Sequence, residues 1–214
     1  MKIIMLGPPN SGKGSYALRL SPILGVPSIS TGDLCREEVA RGTELGKKIK
    51  EIMNKGGLQP DEVIIKMLDN RLKKEDCKKG FILDGYPRTL KQAGDLEKIT
   101  KIDYVLNLVV PKWILFKRAS LRETCEKCGE IYNLGYLKPK REGICDKCGG
   151  KLIQRDDDKE VAVKKRFQEY EEKTRPLVEF YKKKGILLNV SNNKIDTPPE
   201  IVVNKILDML GVKK

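Results

Sequence analysis

Residues 2–15, "KIIMLGPPNSGKGS", decide how the rest of the chain is read. Lys2–Leu6 is almost wholly apolar, too short for a signal peptide or membrane span, and runs straight into a loop of Gly, Pro and small residues. It reads as a buried strand, with a helix starting near Lys13. Gly7, Gly12 and Lys13 have the spacing of a phosphate-binding loop. The glycines let the backbone wrap around an anion. Successive N–H groups and the helix N-terminus attract that anion, and Lys13 adds a point charge for the β and γ oxygens. One feature departs from the common pattern: Gly14 follows the lysine, and the hydroxyl comes one residue later, at Ser15.

Outward from this loop, apolar runs alternate with helical stretches, the pattern of a parallel sheet covered by helices on both faces. Strands are expected at 2–6, 27–30, 81–84, 104–110 and 186–190. Helices are expected at 13–24, 32–41, 44–55, 61–74, 89–98, 112–121, 160–183 and 199–210. Thr43 and Asp61 read as N-caps, and Pro111 and Pro198 stand at helix starts. Pro176 should kink or divide the long helix, because its ring removes an N–H donor and clashes with the preceding turn. Residues 30–59 and 122–158 break the alternation and look like insertions into one nucleotide-binding core.

Composition narrows the chemistry. The 214 residues are 39% hydrophobic and 34% charged, which suits a folded globular domain. The net charge of +13 suggests either a nucleic-acid surface or a lysine-rich solvated one. The lysines are spread over nearly every expected helix and interleaved with Glu, which favours the second reading and the capture of small anions. Histidine is absent, which removes Ser-His and Cys-His nucleophiles and every His-ligated metal. With no expected spanning segment or signal peptide, the expected location is the cytoplasm.

"FILDGYPRT", 81–89, ends an apolar strand in Asp84. Alone, it is a capped strand end. Beside a phosphate loop, Asp84 reads as a carboxylate that holds Mg²⁺ directly or through water. "CEKC" (125–128) and "CDKC" (145–148) give a spacing suited to a tetrahedral zinc site on Cys125, Cys128, Cys145 and Cys148. Two disulfides, four free thiols or bound iron are the alternatives; disulfides are disfavoured in a reducing compartment. Four thiolates leave no open position, so such a zinc would be structural.

Taken together, these motifs resemble the adenylate kinase family. "GPPNSGKGS", "STGDLCRE" (30–37), "GGLQPDE" (56–62), "DGYPRT" (84–89) with Gln92, "QRDDD" (154–158) and "KKRFQEYEEKTRPLVEFY" (164–181) follow in that family's order, covering nearly the whole chain. The resemblance implies a P-loop nucleoside monophosphate kinase, α/β, with a five-stranded parallel sheet. It implies a core of 1–29, 60–120 and 159–214, a helical monophosphate-binding insertion at 30–59 and a lid at 121–158 that carries the zinc. It implies reversible phosphoryl transfer from MgATP to AMP giving ADP, by a monomer without nucleic-acid or membrane partners. A kinase for UMP or CMP, one using GTP, or a zinc-ribbon nucleic-acid-binding protein are the competing readings.

The family pattern puts ATP on Asn10, Ser11, Gly12, Lys13, Gly14 and Ser15, with Arg118 and Arg122 arriving from the lid hinge. Ile131 and Tyr132 would lie near its base, with backbone around Lys194. The AMP phosphate would meet Arg36 and Arg88; Thr31, Gly85 and Gln92 would surround its adenine, with backbone of Gly57, Leu58 and Gln59. Arg155 and Arg166 would grip phosphates as the lid closes. Lys13, Arg88, Arg122, Arg155, Arg166 and Asp84 would form the catalytic set. Six of the eleven arginines thus fall on motif positions. Asp157 and Asp158 either orient the lid arginines or form an acidic run favoured by a helix N-terminus. Asn133 departs from the family pattern, which often has histidine after the tyrosine.

Overall fold

The computed structural model describes residues 1–212. The last two residues of the expected core segment, 213 and 214, lie outside them. The first half runs β1 (Lys2–Leu6), α1 (Lys13–Leu24), β2 (Ser28–Ser30), α2 (Thr31–Ala40), α3 (Glu44–Asn54), α4 (Asp61–Leu72) and β3 (Phe81–Asp84). Then come α5 (Leu90–Ile99), β4 (Tyr104–Val109), α6 (Lys112–Ser120), and three short strands, β5 (Arg122–Cys125), β6 (Ile131–Asn133) and β7 (Leu152–Ile153). The chain closes with α7 (Glu160–Glu169), α8 (Pro176–Lys183), β8 (Leu187–Ser191) and α9 (Pro199–Met209).

The expected sheet is present: five parallel strands in the order β2-β3-β1-β4-β8. Side chains alternate along a strand, so the apolar run of β1 serves both faces. Ile3 and Met5 join Tyr16 and Leu20 of α1 and Val203 and Ile206 of α9 in one buried layer. Ile4 and Leu6 join Leu68 of α4, Leu96 of α5 and Leu177 of α8 in the other. Ile3 and Ile4 are both fully buried, as a central strand covered on two sides requires. From β1 the chain moves to β2 on one side of the sheet, and from β3 it moves to β4 on the other. Ligand crevices form outside the carboxyl ends of strands at such a switch. Here those ends are Leu6, leading into the glycine loop, and Asp84.

Several local expectations are met or shifted for identifiable reasons. Thr43 caps α3, its side chain accepting from the Gly46 N–H. Asp61 is not a cap: it is the first residue of α4, after Pro60, and its carboxylate accepts instead from Gln92 Nε2 at 2.6 Å. The stretch expected as one helix over 160–183 is divided, since Pro176 costs a helix interior about 3 kcal/mol. The chain answers with a wider π-type turn over Tyr170–Thr174, where Arg175 N–H reaches the Tyr170 carbonyl at 2.8 Å. Residues 122–158, which break the strand-helix alternation, contain an antiparallel sheet in the order β6-β5-β7. Among the described residues no helix is long and apolar enough to cross a membrane.

Candidate active site

The loop after β1 holds polar groups that none of the described residues satisfies. Asn10 has a left-handed backbone (φ 63°). Both polar atoms of its buried side chain, and the Ser11 hydroxyl, lack hydrogen-bond partners among the described residues. Each such orphan costs about 1–3 kcal/mol, so the loop is shaped for a polar group from outside. Lys13 Nζ meanwhile donates to the loop's own carbonyls, Gly7 and Pro8, both at 2.8 Å. Loss of water around Lys13 lowers its pKa most. Asp84 opposes that, and Arg88, Arg166 and Arg122 reinforce it, bringing the ammonium down to about 7. An anion bound here would relieve that penalty.

Gly14 has a geometric reason to lack a side chain. A Cβ there would stand 3.1 Å from Asp84 Oδ2 and 3.3 Å from Ile131 Cδ1. The glycine lets the strand-end carboxylate approach the loop from one side and β6 from the other. A hydroxyl at 14 would compete for that space. The one at Ser15 instead accepts from Arg19 Nη1 at 3.0 Å.

Facing the loop across a cavity of about 400 Å³ is a ring of guanidinium groups. Arg36 comes from α2, Arg88 from the turn after β3, Arg122 from β5, Arg155 from the turn after β7 and Arg166 from α7. Most are steered by carboxylates. Asp158 grips Arg122 with both oxygens, Asp157 accepts from Arg166 at 2.9 Å, and Asp33 lies 3.1 Å from Arg36 Nε and 3.9 Å from Arg155. Asp157 and Asp158 therefore both engage arginines, and they also lie in the turn just before α7, so the two readings open in the sequence hold together. Among the described residues Arg88 makes no ion pair; its Nε donates to the Gly85 carbonyl at 2.8 Å, and its backbone N–H to Gln92 Oε1 at 2.7 Å. Burial lowers Arg155 and Arg166 to about 10, with repulsion from Arg36 and Arg122 next in size. Five crowded cations short of water make a receptor for a multiply charged anion.

Most residues singled out in the sequence line this one cavity. On the loop side they are Asn10, Gly12, Lys13, Gly14, Ser15 and Asp84, joined by Arg118, Ile131 and Tyr132. On the α2–α4 side they are Thr31, Gly57, Leu58, Gln59 and Gly85. Three are placed elsewhere. Ser11 is fully buried beneath the loop, Gln92 is buried behind Arg88 and Asp61, and Lys194 lies in the loop before α9, whose Asp196 and Thr197 do reach the cavity. Tyr136, Tyr170 and Thr174 also line it and were not singled out. Tyr136 lies under the Arg118 guanidinium at 5.6 Å, and Thr174 donates to the Arg88 carbonyl at 2.9 Å. Tyr136 lies outside every quoted motif, and although Tyr170 and Thr174 fall within 164–181, nothing in that stretch shows that they face the cavity.

The adenylate kinase family model matches residues 5–186, which includes every element that supplies the ring of arginines. The chain belongs to the adenylate kinase family. It is 54% identical over 199 residues to the adenylate kinase of Archaeoglobus fulgidus, covering 91% of this chain and 92% of that protein. Against that of Caldicellulosiruptor saccharolyticus it is 51% identical over 220 residues, spanning both chains in full. Against that of Fervidobacterium nodosum it is 48% identical over 216 residues.

The four paired cysteines form a second centre, beside the three-stranded sheet. Their sulfurs all lie within 4.8 Å of one another, with Cys125–Cys148 at 3.5 Å and Cys128–Cys145 at 3.6 Å. A tetrahedron with Zn–S near 2.3 Å has edges of about 3.8 Å, so the donor set fits zinc. No sulfur pair in the cluster stands at S–S bonding distance, an arrangement that suits one shared metal better than two disulfides. Around them, the Tyr132 hydroxyl approaches Cys145 Sγ at 3.6 Å and accepts from the Asp146 N–H at 2.8 Å. Such outer partners fix the orientation of metal ligands. Asn133, the departure from the family pattern, is buried in structure: Nδ2 donates to the Arg118 carbonyl at 3.1 Å and Oδ1 accepts from Gly135 N–H at 3.0 Å.

Proposed function

We propose that this chain transfers the terminal phosphoryl group of MgATP to AMP, reversibly, giving two ADP. The observation that carries the reading is the convergence of Lys13 and six arginines on one cavity that opens beside the glycine loop. Family membership and the names of the relatives support adenine nucleotides on both sides. In the forward step an oxygen of the AMP phosphate forms a bond to the γ-phosphorus, and the bond from that phosphorus to the β-bridging oxygen breaks. The attacking oxygen is already anionic, so no general base is required, consistent with a chain that has no histidine. What remains is in-line placement and neutralisation of charge.

In this reading ATP occupies Asn10 to Ser15 with Arg118, Arg122, Ile131, Tyr132 and backbone near Lys194. AMP occupies Thr31, Arg36, Gly57 to Gln59, Gly85 and Arg88, with Gln92 holding the Arg88 backbone from behind, and Arg155 and Arg166 bridge the two. Residues 30–59 serve as the monophosphate-binding insertion, 121–158 as a lid, and the remainder as core. The lid excludes water that would otherwise take the phosphoryl group. Mg²⁺, when bound, supplies positive charge to the phosphate oxygens, with Asp84 the carboxylate nearest the loop. Cys125, Cys128, Cys145 and Cys148 would hold a structural zinc, which would stabilise a lid segment that has only a small apolar core of its own. We further propose a cytoplasmic monomer, in keeping with the family resemblance.

A coupled assay tests the activity. ADP should form from MgATP only when AMP is added; AMP-independent hydrolysis stimulated by DNA or RNA would contradict the reading.

A further inference from the structure

Arg19 projects from α1 one turn beyond Ser15, outside the cavity lining. Its Nη1 lies 3.0 Å from Ser15 Oγ and 3.1 Å from the Ser15 carbonyl. The same nitrogen lies 3.1 Å from Glu130 Oε1. Glu130 belongs to the cysteine-bearing segment: its carbonyl accepts from Cys125 N–H at 2.9 Å, and its own N–H points at the Cys128 thiol. Its carboxylate has a second cation, Lys147 of the other cysteine pair, at 3.7 Å. The Arg19 and Glu130 side chains are only 23% and 12% exposed, so the pair is largely shielded from solvent. A continuous chain of contacts therefore runs from the cysteine cluster through Glu130 and Arg19 to the phosphate loop.

We infer that Arg19 and Glu130 are positioning residues that couple closure of the lid to the phosphate loop. The inference rests on the lid-closure reading above. The charges make the contact a latch rather than a lock. With the lid raised, Glu130 keeps Lys147, and Arg19 keeps Glu200, whose Oε1 lies 3.3 Å from Arg19 Nε. Opening strands neither charge, while closing adds one shielded attraction, intermediate between an exposed pair and a fully buried one. Glu130 Oε1 makes no well-aligned hydrogen bond, so the attraction depends on charge more than on fine geometry. A lysine at position 19 should serve nearly as well.

The test is steady-state kinetics and zinc content of the wild type, Arg19→Gln, Glu130→Gln, the double variant and Arg19→Lys. Each single Gln variant should raise KM for MgATP about five-fold, equivalent to about 1 kcal/mol, without lowering kcat or changing KM for AMP. The double variant should be no worse than either single, and Arg19→Lys should stay near wild type. Unchanged KM in the singles, or a double effect equal to their product, overturns the latch. So does loss of zinc or a lower melting temperature in Glu130→Gln alone, which would assign Glu130 to the cysteine segment's own stability. A wild type that forms no ADP from MgATP and AMP would overturn the functional reading instead.

Discussion

Arg122 and Asp158 meet in a two-pronged ion pair in which the carboxylate side chain has no exposure at all. Arg166 approaches the same carboxylate at 3.6 Å. One buried anion thus offsets two of the cations that face the cavity. Breaking a buried pair by removing one partner costs about 3–5 kcal/mol, because the other charge is left uncompensated. Asp158→Asn, nearly the same shape, should therefore lower stability by that order, read from the denaturant midpoint. A midpoint within experimental error of wild type would show that Arg122 finds its compensation elsewhere.

Arg88 depends on Gly85. That glycine has φ +83°, and a Cβ would stand 2.8 Å from Thr31 Oγ1 and 2.9 Å from an Arg88 terminal nitrogen. Gly85→Ala should displace Arg88 and raise KM for AMP while leaving KM for MgATP near normal. Arg88→Ala should lower turnover by roughly 10³, the lower range for an arginine that neutralises a transferring phosphoryl group, with the melting temperature little changed. Near-normal turnover in Arg88→Ala would remove it from the catalytic set.

Lys13 should leave a signature in the pH dependence of stability. Its pKa is about 7 in the folded protein against 10.5 ordinarily. Between those values the unfolded chain binds more protons than the native one, so raising the pH favours the native state. Below about 7 the penalty of a charged, dehydrated Lys13 is fully present; it fades as pH climbs toward 10.5. Melting curves of wild type and Lys13→Met across that window should show the wild type gaining on the variant as pH rises. A constant difference would mean that Lys13 keeps its ordinary proton affinity.

Removal of zinc should act on the cysteine segment first. Structural zinc binding in small peptides is worth about 10–16 kcal/mol near neutral pH, and much of that is folding energy. A strong chelator should lower the melting temperature and expose 122–153 to protease before the main sheet yields. Native protein without bound metal, and with four readily titrated thiols at Cys125, Cys128, Cys145 and Cys148, would refute a structural zinc.

Much of this organisation was legible before any coordinates. The inner strands of the main sheet, β1, β3 and β4, are largely apolar runs bounded by Gly, Pro and Asp, and burial on both faces leaves them little freedom to be anything else. The glycine loop and Asp84 could be paired because each motif implies the other's position at adjoining strand ends. β5, β6 and β7 escaped because they are only two to four residues long, too short to show alternation, and are organised by a cysteine cluster rather than by a broad hydrophobic face. Gln92 illustrates a different limit. Its place in the motif says nothing of whether its amide faces a ligand, and here it bridges the Arg88 N–H and Asp61. Arg19 and Glu130 lie 111 residues apart and belong to no motif, so only folding brings their charges together.

The most direct test of the account offers AMP, GMP, CMP and UMP in turn as phosphoryl acceptors from MgATP and measures ADP formation. The account predicts that AMP exceeds the other three in kcat/KM by orders of magnitude. Equal or better use of CMP or UMP would contradict it and leave a monophosphate kinase of different specificity.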